Sequence, residues 1–124
     1  MTDTEEQDGA RRVAVIGVGT RERGDDAAGR IVAERVAGRF GPEIEVQEMR
    51  GEAVELMDAW SGAAAVIIID AVHAGGEPGT VHRFDASDEE LPAGMARAST
   101  HDMGVADAIE LARSMGSLPG RVIV

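Results

Sequence analysis

The chain has 124 residues, enough for one domain and too few for two cores of normal size. Hydrophobic residues make up 44% and charged residues 28%, a balance that excludes a disordered or fibrous chain. Twelve basic residues against twenty-three acidic ones give a net charge of −11, which argues against nucleic acid and against anionic membrane surfaces as partners.

Residues 1–12 read as a flexible acidic tail, with Glu5, Glu6 and Asp8 in solvent and no secretory pattern. From residue 13 to 124 the pattern predicts a single α/β domain. Val13 to Val18 is a β-branched apolar run without polar alternation, as in a strand buried on both faces. After a polar loop holding Asp25 and Asp26, a helix is expected, with Ala28, Ile31, Val32, Val36 and Phe40 on its apolar face. Gly41-Pro42 supplies the stop signal. Ile44 to Met49 alternates and predicts a second strand. A short helix carrying Val54, Leu56, Met57 and Trp60 follows, closed by Ser61-Gly62.

The most hydrophobic stretch, Ala63 to Ile69, predicts the central strand, and it stops at Asp70. It is far shorter than the roughly 20 residues of a membrane span. Without a span or a leader, the cytoplasm is the expected location. Past a turn rich in glycine and proline, Thr80 to Phe84 predicts an antiparallel edge strand, because the loop before it is too short for a parallel crossover. Asp85 to Ala98 reads as an irregular surface segment. Ser99 and Thr100 are the expected caps of a last helix, with Asp102 as capping partner and Val105, Ala108, Ile109, Ala112 and Met115 on its apolar face. Gly116 ends it, and Arg121 to Val124 begins a final strand. The expected architecture is three-layered: a mainly parallel twisted sheet of about five strands, helices on both faces, and one antiparallel edge strand.

Ligands of such sheets bind beyond the carboxyl ends of the strands. Asp25-Asp26, Asp70 and His101 are expected at that rim. A helix N-terminus favours carboxylates and disfavours a charged imidazole, so Asp25 and Asp26 are expected ionised and His101 neutral. Two carboxylates and one imidazole make an incomplete shell for a divalent transition metal. His73 and His82 read as incidental, and Trp60 and the methionines as core or contact residues. Every basic residue is arginine, so Schiff-base chemistry and a lysine-ended phosphate loop are excluded. The absence of cysteine excludes disulfides and thiolate chemistry. Gly17-Val18-Gly19-Thr20-Arg21-Glu22 lacks the third glycine of a dinucleotide fingerprint, and Glu22 would repel a pyrophosphate.

Gly17-Val18-Gly19-Thr20, Gly24-Asp25-Asp26 and Gly29 resemble the first motif of hydrogenase maturation proteases. The resemblance continues through Arg50-Gly51-Glu52, Leu56-Met57-Asp58-Ala59, Ile69-Asp70-Ala71-Val72, Pro78-Gly79-Thr80-Val81-His82-Arg83 and Ser99-Thr100-His101, over nearly the whole chain. It implies an aspartic-type endopeptidase that trims the C-terminal extension of a nickel-loaded nickel-iron hydrogenase large-subunit precursor. It also implies that Asp26, Asp70 and His101 contact nickel carried by the substrate, with no tightly bound cofactor of the protein's own.

Asp26 and Asp70 are the candidate bases for attack by water, and Glu48 is a weaker third. The family usually has asparagine at the position of Thr20 and glycine at that of Ala27, and its members continue past the last strand. The reading therefore expects a truncated form, with apolar surface at Val122 to Val124 favouring weak self-association. Two rival readings are a degenerate relative that binds the precursor without cutting it, and a receiver-like signalling domain. The receiver needs a late lysine, which this chain lacks.

Overall fold

The computed structural model describes residues 12–19, 27–50, 52–70, 81–89 and 104–124. In chain order the elements are β1 (Val13–Val18), α1 (Ala27–Val36), β2 (Ile44–Met49), α2 (Ala53–Trp60), β3 (Ala65–Ile69), α3 (Val105–Met115) and β4 (Arg121–Ile123). The strands form one four-stranded, all-parallel sheet in the order β2-β1-β3-β4. β1 lies inside it, with Val13 opposite Ile44 on one side and Ala65 on the other. That position explains its unbroken apolar sequence, since both faces are covered.

Crossover handedness decides which face each helix covers. The connection from β1 to β2 steps one way along the sheet. The connections from β2 to β3 and from β3 to β4 step the other way. Right-handed crossovers therefore place α1 on one face and α2 with α3 on the opposite face. The packing agrees. Ala14, Ile16, Val18, Val66, Ile68 and Val122 form one core with Leu56 and Trp60 of α2 and Val105, Ala108, Ile109 and Ala112 of α3. Val15 and Gly17 face α1 instead. That side is covered over β1, where Val15 is 5% exposed, and open over β3, where Ile67 is 37% exposed.

Several expectations are corrected. The buried face of α1 is not the one read from its large apolar residues: Ile31 and Phe40 are exposed, while Gly29 and Ala33 are buried. The helix turns its smallest residues to the sheet because a Cβ on Gly17 would strike the Gly29 backbone, with its carbonyl carbon at 2.8 Å, and the Ala33 Cβ at 2.9 Å. Large side chains cannot occupy that contact. The helix also stops before Gly41-Pro42, at Gly38, whose φ of 83° suits glycine. The cap of α3 is Gly104 rather than Ser99 or Thr100, and its N–H donates to the Asp107 carboxylate at 3.3 Å. Gly116 ends α3 as expected, with Ser117 N–H donating back to the Ala112 carbonyl at 2.9 Å. Met115, expected on the core face, is exposed.

Four strands are present among the described residues, and the expected antiparallel strand at Thr80 to Phe84 is not among them. Thr80 lies outside the described residues, and residues 81–84 form no strand. The antiparallel contact falls later, as an isolated bridge between Asp85 and Ile123. Phe84 and Val124 exchange backbone bonds of 2.7 and 2.8 Å, and Ala86 N–H donates to the Val122 carbonyl at 2.8 Å. On its outer edge β4 makes a single bridge, whereas its inner edge pairs with β3 over all three residues. Ala86 is fully buried, so this stretch is not wholly a surface segment. Val122 is also fully buried and Ile123 and Val124 are half-buried, so less apolar surface lies open there than expected.

Among the described residues, no helix is long and apolar enough to cross a membrane. At the amino end of the sheet, Arg12 donates to the Glu45 carboxylate at 2.6 Å and to the Ser61 carbonyl, joining β1, β2 and the end of α2. Trp60 is almost fully buried, and its indole N–H has no hydrogen-bond partner among the described residues. Substituting Leu56→Ala should therefore cost about 2–5 kcal/mol in urea unfolding, as a buried cavity does. Trp60→Phe removes an unsatisfied donor and should fall clearly below that loss in the same assay.

Candidate functional site

The strand order places one topological switch point in this sheet, between β1 and β3, where the chain leaves neighbouring strands in opposite directions. A crevice at such a point is the usual ligand site of an open α/β sheet. Asp70 follows β3 directly, one residue beyond the register pair of Gly17 and Ile69, and is half-buried. An uninterrupted apolar run carries the chain through the core as β3 and delivers the first carboxylate at the carboxyl rim.

The first turn of α1 comes to the same place. Gly29 is buried, and a Cβ built on it would meet the Ile69 carbonyl oxygen, the Val18 carbonyl oxygen at 2.6 Å and the Val18 nitrogen at 2.9 Å. Backbone thus lies on backbone across the ends of β1 and β3. The partial positive charge at the start of a helix favours negative charge nearby by about 0.3–1 kcal/mol at exposed sites. α1 carries no acidic residue of its own in its first turn.

Of the three residues expected at the rim, Asp70 is described there. Asp26, immediately before the first residue of α1, and His101 lie outside the described residues, as do Asp25, His73, Ser99, Thr100 and Asp102. His101 does not open α3, because the cap of that helix is Gly104. Among the described residues, no three His, Asp or Glu side chains gather to hold an ion. Glu48 is exposed on β2 and pairs in register with Gly17, so β1 lies between it and the β3 strand that leads to Asp70. Two strand spacings separate those backbones by roughly 10 Å. His82 is exposed and stacks on Phe84, with ring centroids 6.2 Å apart.

Two features were missed by residue-type reasoning. One is the Gly17–Gly29 contact, whose only trace in the sequence is a pair of glycines inside otherwise regular elements. The other is Arg113 of α3, which fixes the segment after the β4 bridge. Its guanidinium donates to the carbonyls of Ala86 at 2.9 Å, Ser87 at 3.0 Å and Glu89 at 3.1 Å, and to both carboxylate oxygens of Glu110. The Ser87 hydroxyl accepts the Val122 N–H at 2.9 Å. Ser87 also holds the Asp85 carboxyl below its ordinary value, through its side-chain and backbone donors, against an opposing desolvation.

The comparisons with known proteins agree with one another. The family model described as HycI: Hydrogenase maturation protease matches residues 32–124. A hydrogenase expression/formation protein HupD of Rhodobacter capsulatus is 32% identical over 115 residues, covering 90% of this chain and 54% of that protein. The chain thus spans about half the length of the curated relatives it matches. Among solved structures, the hydrogenase maturating endopeptidase HybD from E. coli is similar at 30% identity with a TM-score of 0.71, over 90% of this chain and 70% of that one. A hydrogenase 2 maturation peptidase from a Thaumarchaeota archaeon is similar at 27% identity and a TM-score of 0.58, over 90% and 75% of the two chains.

Arg113→Ala should speed amide exchange at Phe84 and Ala86 by about ten-fold or more, one factor of ten per 1.4 kcal/mol of lost hydrogen bonding to a charged group. Amides of α1 should not change. The Asp85 carboxyl is lowered in the folded state, so its contribution is present above the ordinary carboxylate value and lost as the pH falls through the folded one. Protection at Ala86 should fall in the same acid range, and Asp85→Asn should remove that pH dependence.

Proposed function

The chain belongs to the hydrogenase maturation protease family, and on that premise we propose that it is an endopeptidase. Its substrate is the nickel-loaded large-subunit precursor of a nickel-iron hydrogenase, from which it removes the C-terminal extension. The observation that carries this reading is the place of Asp70: a carboxylate released by the central apolar strand at the switch point, beside the first turn of α1.

In this reading Asp70, Asp26 and His101 recognise nickel that arrives in the precursor. Asp26 precedes α1 by one peptide bond, and the Gly29 contact brings the first turn of that helix to the ends of β1 and β3. His101 stands three residues before the cap of α3. Two carboxylates and an imidazole leave positions for the substrate's own ligands, so metal recognition and substrate recognition become one event. The nickel is cargo and stays with the precursor, and the protein contributes no resident cofactor. The acidic balance of the chain suits a protein partner with no nucleic acid or membrane surface involved.

Hydrolysis then needs a base and a held peptide. A water within hydrogen-bond reach of Asp70 or Asp26 gives a proton to the carboxylate while its oxygen attacks the scissile carbonyl. The proton passes to the departing amine as the C–N bond breaks. The mature large subunit is left with a new carboxyl terminus, and the extension leaves with a new amino terminus. Holding the nickel centre fixes the peptide relative to the base, and such fixation is a large part of the rate gain in any intramolecular-like step.

Cleavage of nickel-loaded precursor, followed by mass spectrometry against the nickel-free form, tests the reading. The nickel-loaded form should be trimmed and the nickel-free form left intact. Asp70→Asn should retain the fold and lower the rate by about 10²–10⁴, the usual contribution of general acid–base catalysis. Trimming by Asp70→Asn at the parent rate would remove Asp70 from the mechanism.

A further inference from the structure

We infer that Gly29 is a positioning residue for Asp70, a position where α1 meets the peptide that joins β3 to its terminal carboxylate. The inference rests on the proposed role of Asp70 and extends it to a residue with no reactive atom. Gly29 is the third residue of α1 and is buried. A methyl group there would run into the Ile69 carbonyl oxygen, and into Val18 at 2.6 Å from its carbonyl oxygen and 2.9 Å from its nitrogen. Two of these atoms belong to β1 and one belongs to the Ile69–Asp70 peptide. None is the far end of a flexible side chain, so the collision cannot be relieved by a rotamer change. Either α1 lifts away from the sheet or the Ile69–Asp70 peptide turns.

Both movements change the geometry at the rim. Turning the peptide re-aims Asp70 directly. Lifting α1 withdraws the helix start from Asp70. The second glycine of the contact repeats the constraint one step inward: a Cβ on Gly17 would meet the Gly29 carbonyl carbon at 2.8 Å and Ala33 at 2.9 Å. The two glycines therefore set the height of α1 above β1 and β3. A displacement of about 1 Å in a catalytic constellation is enough to cost about 10²-fold in rate.

The test compares Gly29→Ala with Gly38→Ala in the full chain. Gly38 ends the same helix at a positive φ of 83° with no atom within 4 Å of a built Cβ, so a methyl there strains the backbone without touching the rim. Both variants should lower Tm. Gly29→Ala should reduce kcat on nickel-loaded precursor at least ten-fold, while Gly38→Ala leaves kcat and KM unchanged. A folded Gly29→Ala protein with parent kcat overturns the inference, and so does an equal loss in both variants.

Where Gly29→Ala does not fold, Ala33→Val presses the same helix off the sheet one turn further along. Reduced kcat in folded Ala33→Val supports the inference, and full kcat overturns it. Asp70→Asn separates the two levels of the argument. If it cleaves normally, the proposed role of Asp70 has failed. If it is inactive while Gly29→Ala is fully active, only the positioning role has failed.

Discussion

The close approach of a helix backbone to two strand ends governs the arrangement of this molecule. Gly29 of α1 sits against Val18 and Ile69, and Gly17 of β1 receives the Gly29 backbone and Ala33 in return. No side chain larger than hydrogen fits at either glycine without moving backbone. That contact fixes where α1 begins relative to the carboxyl ends of β1 and β3. It brings a helix start and a strand-terminal carboxylate to a common edge, although some forty residues of chain separate them.

Topology supplies the rest of the framework. Only the β1-to-β2 crossover runs toward the β2 edge, so among the described elements α1 alone occupies its face, while α2 and α3 share the other. The shared face is the better-filled core, with every inward residue of β1, β3 and β4 buried against Leu56, Trp60 and the α3 stripe. The α1 face is built for proximity instead, using glycine and alanine where the other uses leucine, isoleucine and tryptophan. A thin layer of small residues contributes less apolar burial. It also allows a helix end to approach the rim closely enough to shape a site.

Elements whose signal is local were legible in the sequence. β1 and β2 fall on their expected residues because an apolar run and an alternating run each have a single good reading. Asp70 was legible as the first charge after the most hydrophobic stretch. The face of α1 was not, because hydropathy ranks Ile31 above Gly29 while packing against a strand backbone ranks them in reverse. The cap of α3 was misplaced because Ser99 and Thr100 carry a better capping pattern than Gly104, which is served by Asp107 instead. The edge contact slid from Thr80–Phe84 to Asp85 because its register depends on a three-residue partner strand and on Arg113, both distant in sequence. The α/β pattern placed the acidic pair and His101 at the rim with Asp70, and the family resemblance then singled out Asp26, Asp70 and His101 as metal contacts; Asp26 and His101 lie outside the described residues.

The central claim is that this rim supplies ligands to a nickel centre brought by another protein. X-ray absorption at the nickel edge, recorded on a loaded precursor with a non-cleavable extension, addresses it directly. On adding this chain, the nickel should gain oxygen and nitrogen neighbours, including the scattering pattern of an imidazole. The gain should be reduced when the added chain carries Asp70→Asn. A nickel spectrum unchanged by a chain that demonstrably binds the precursor would contradict the account.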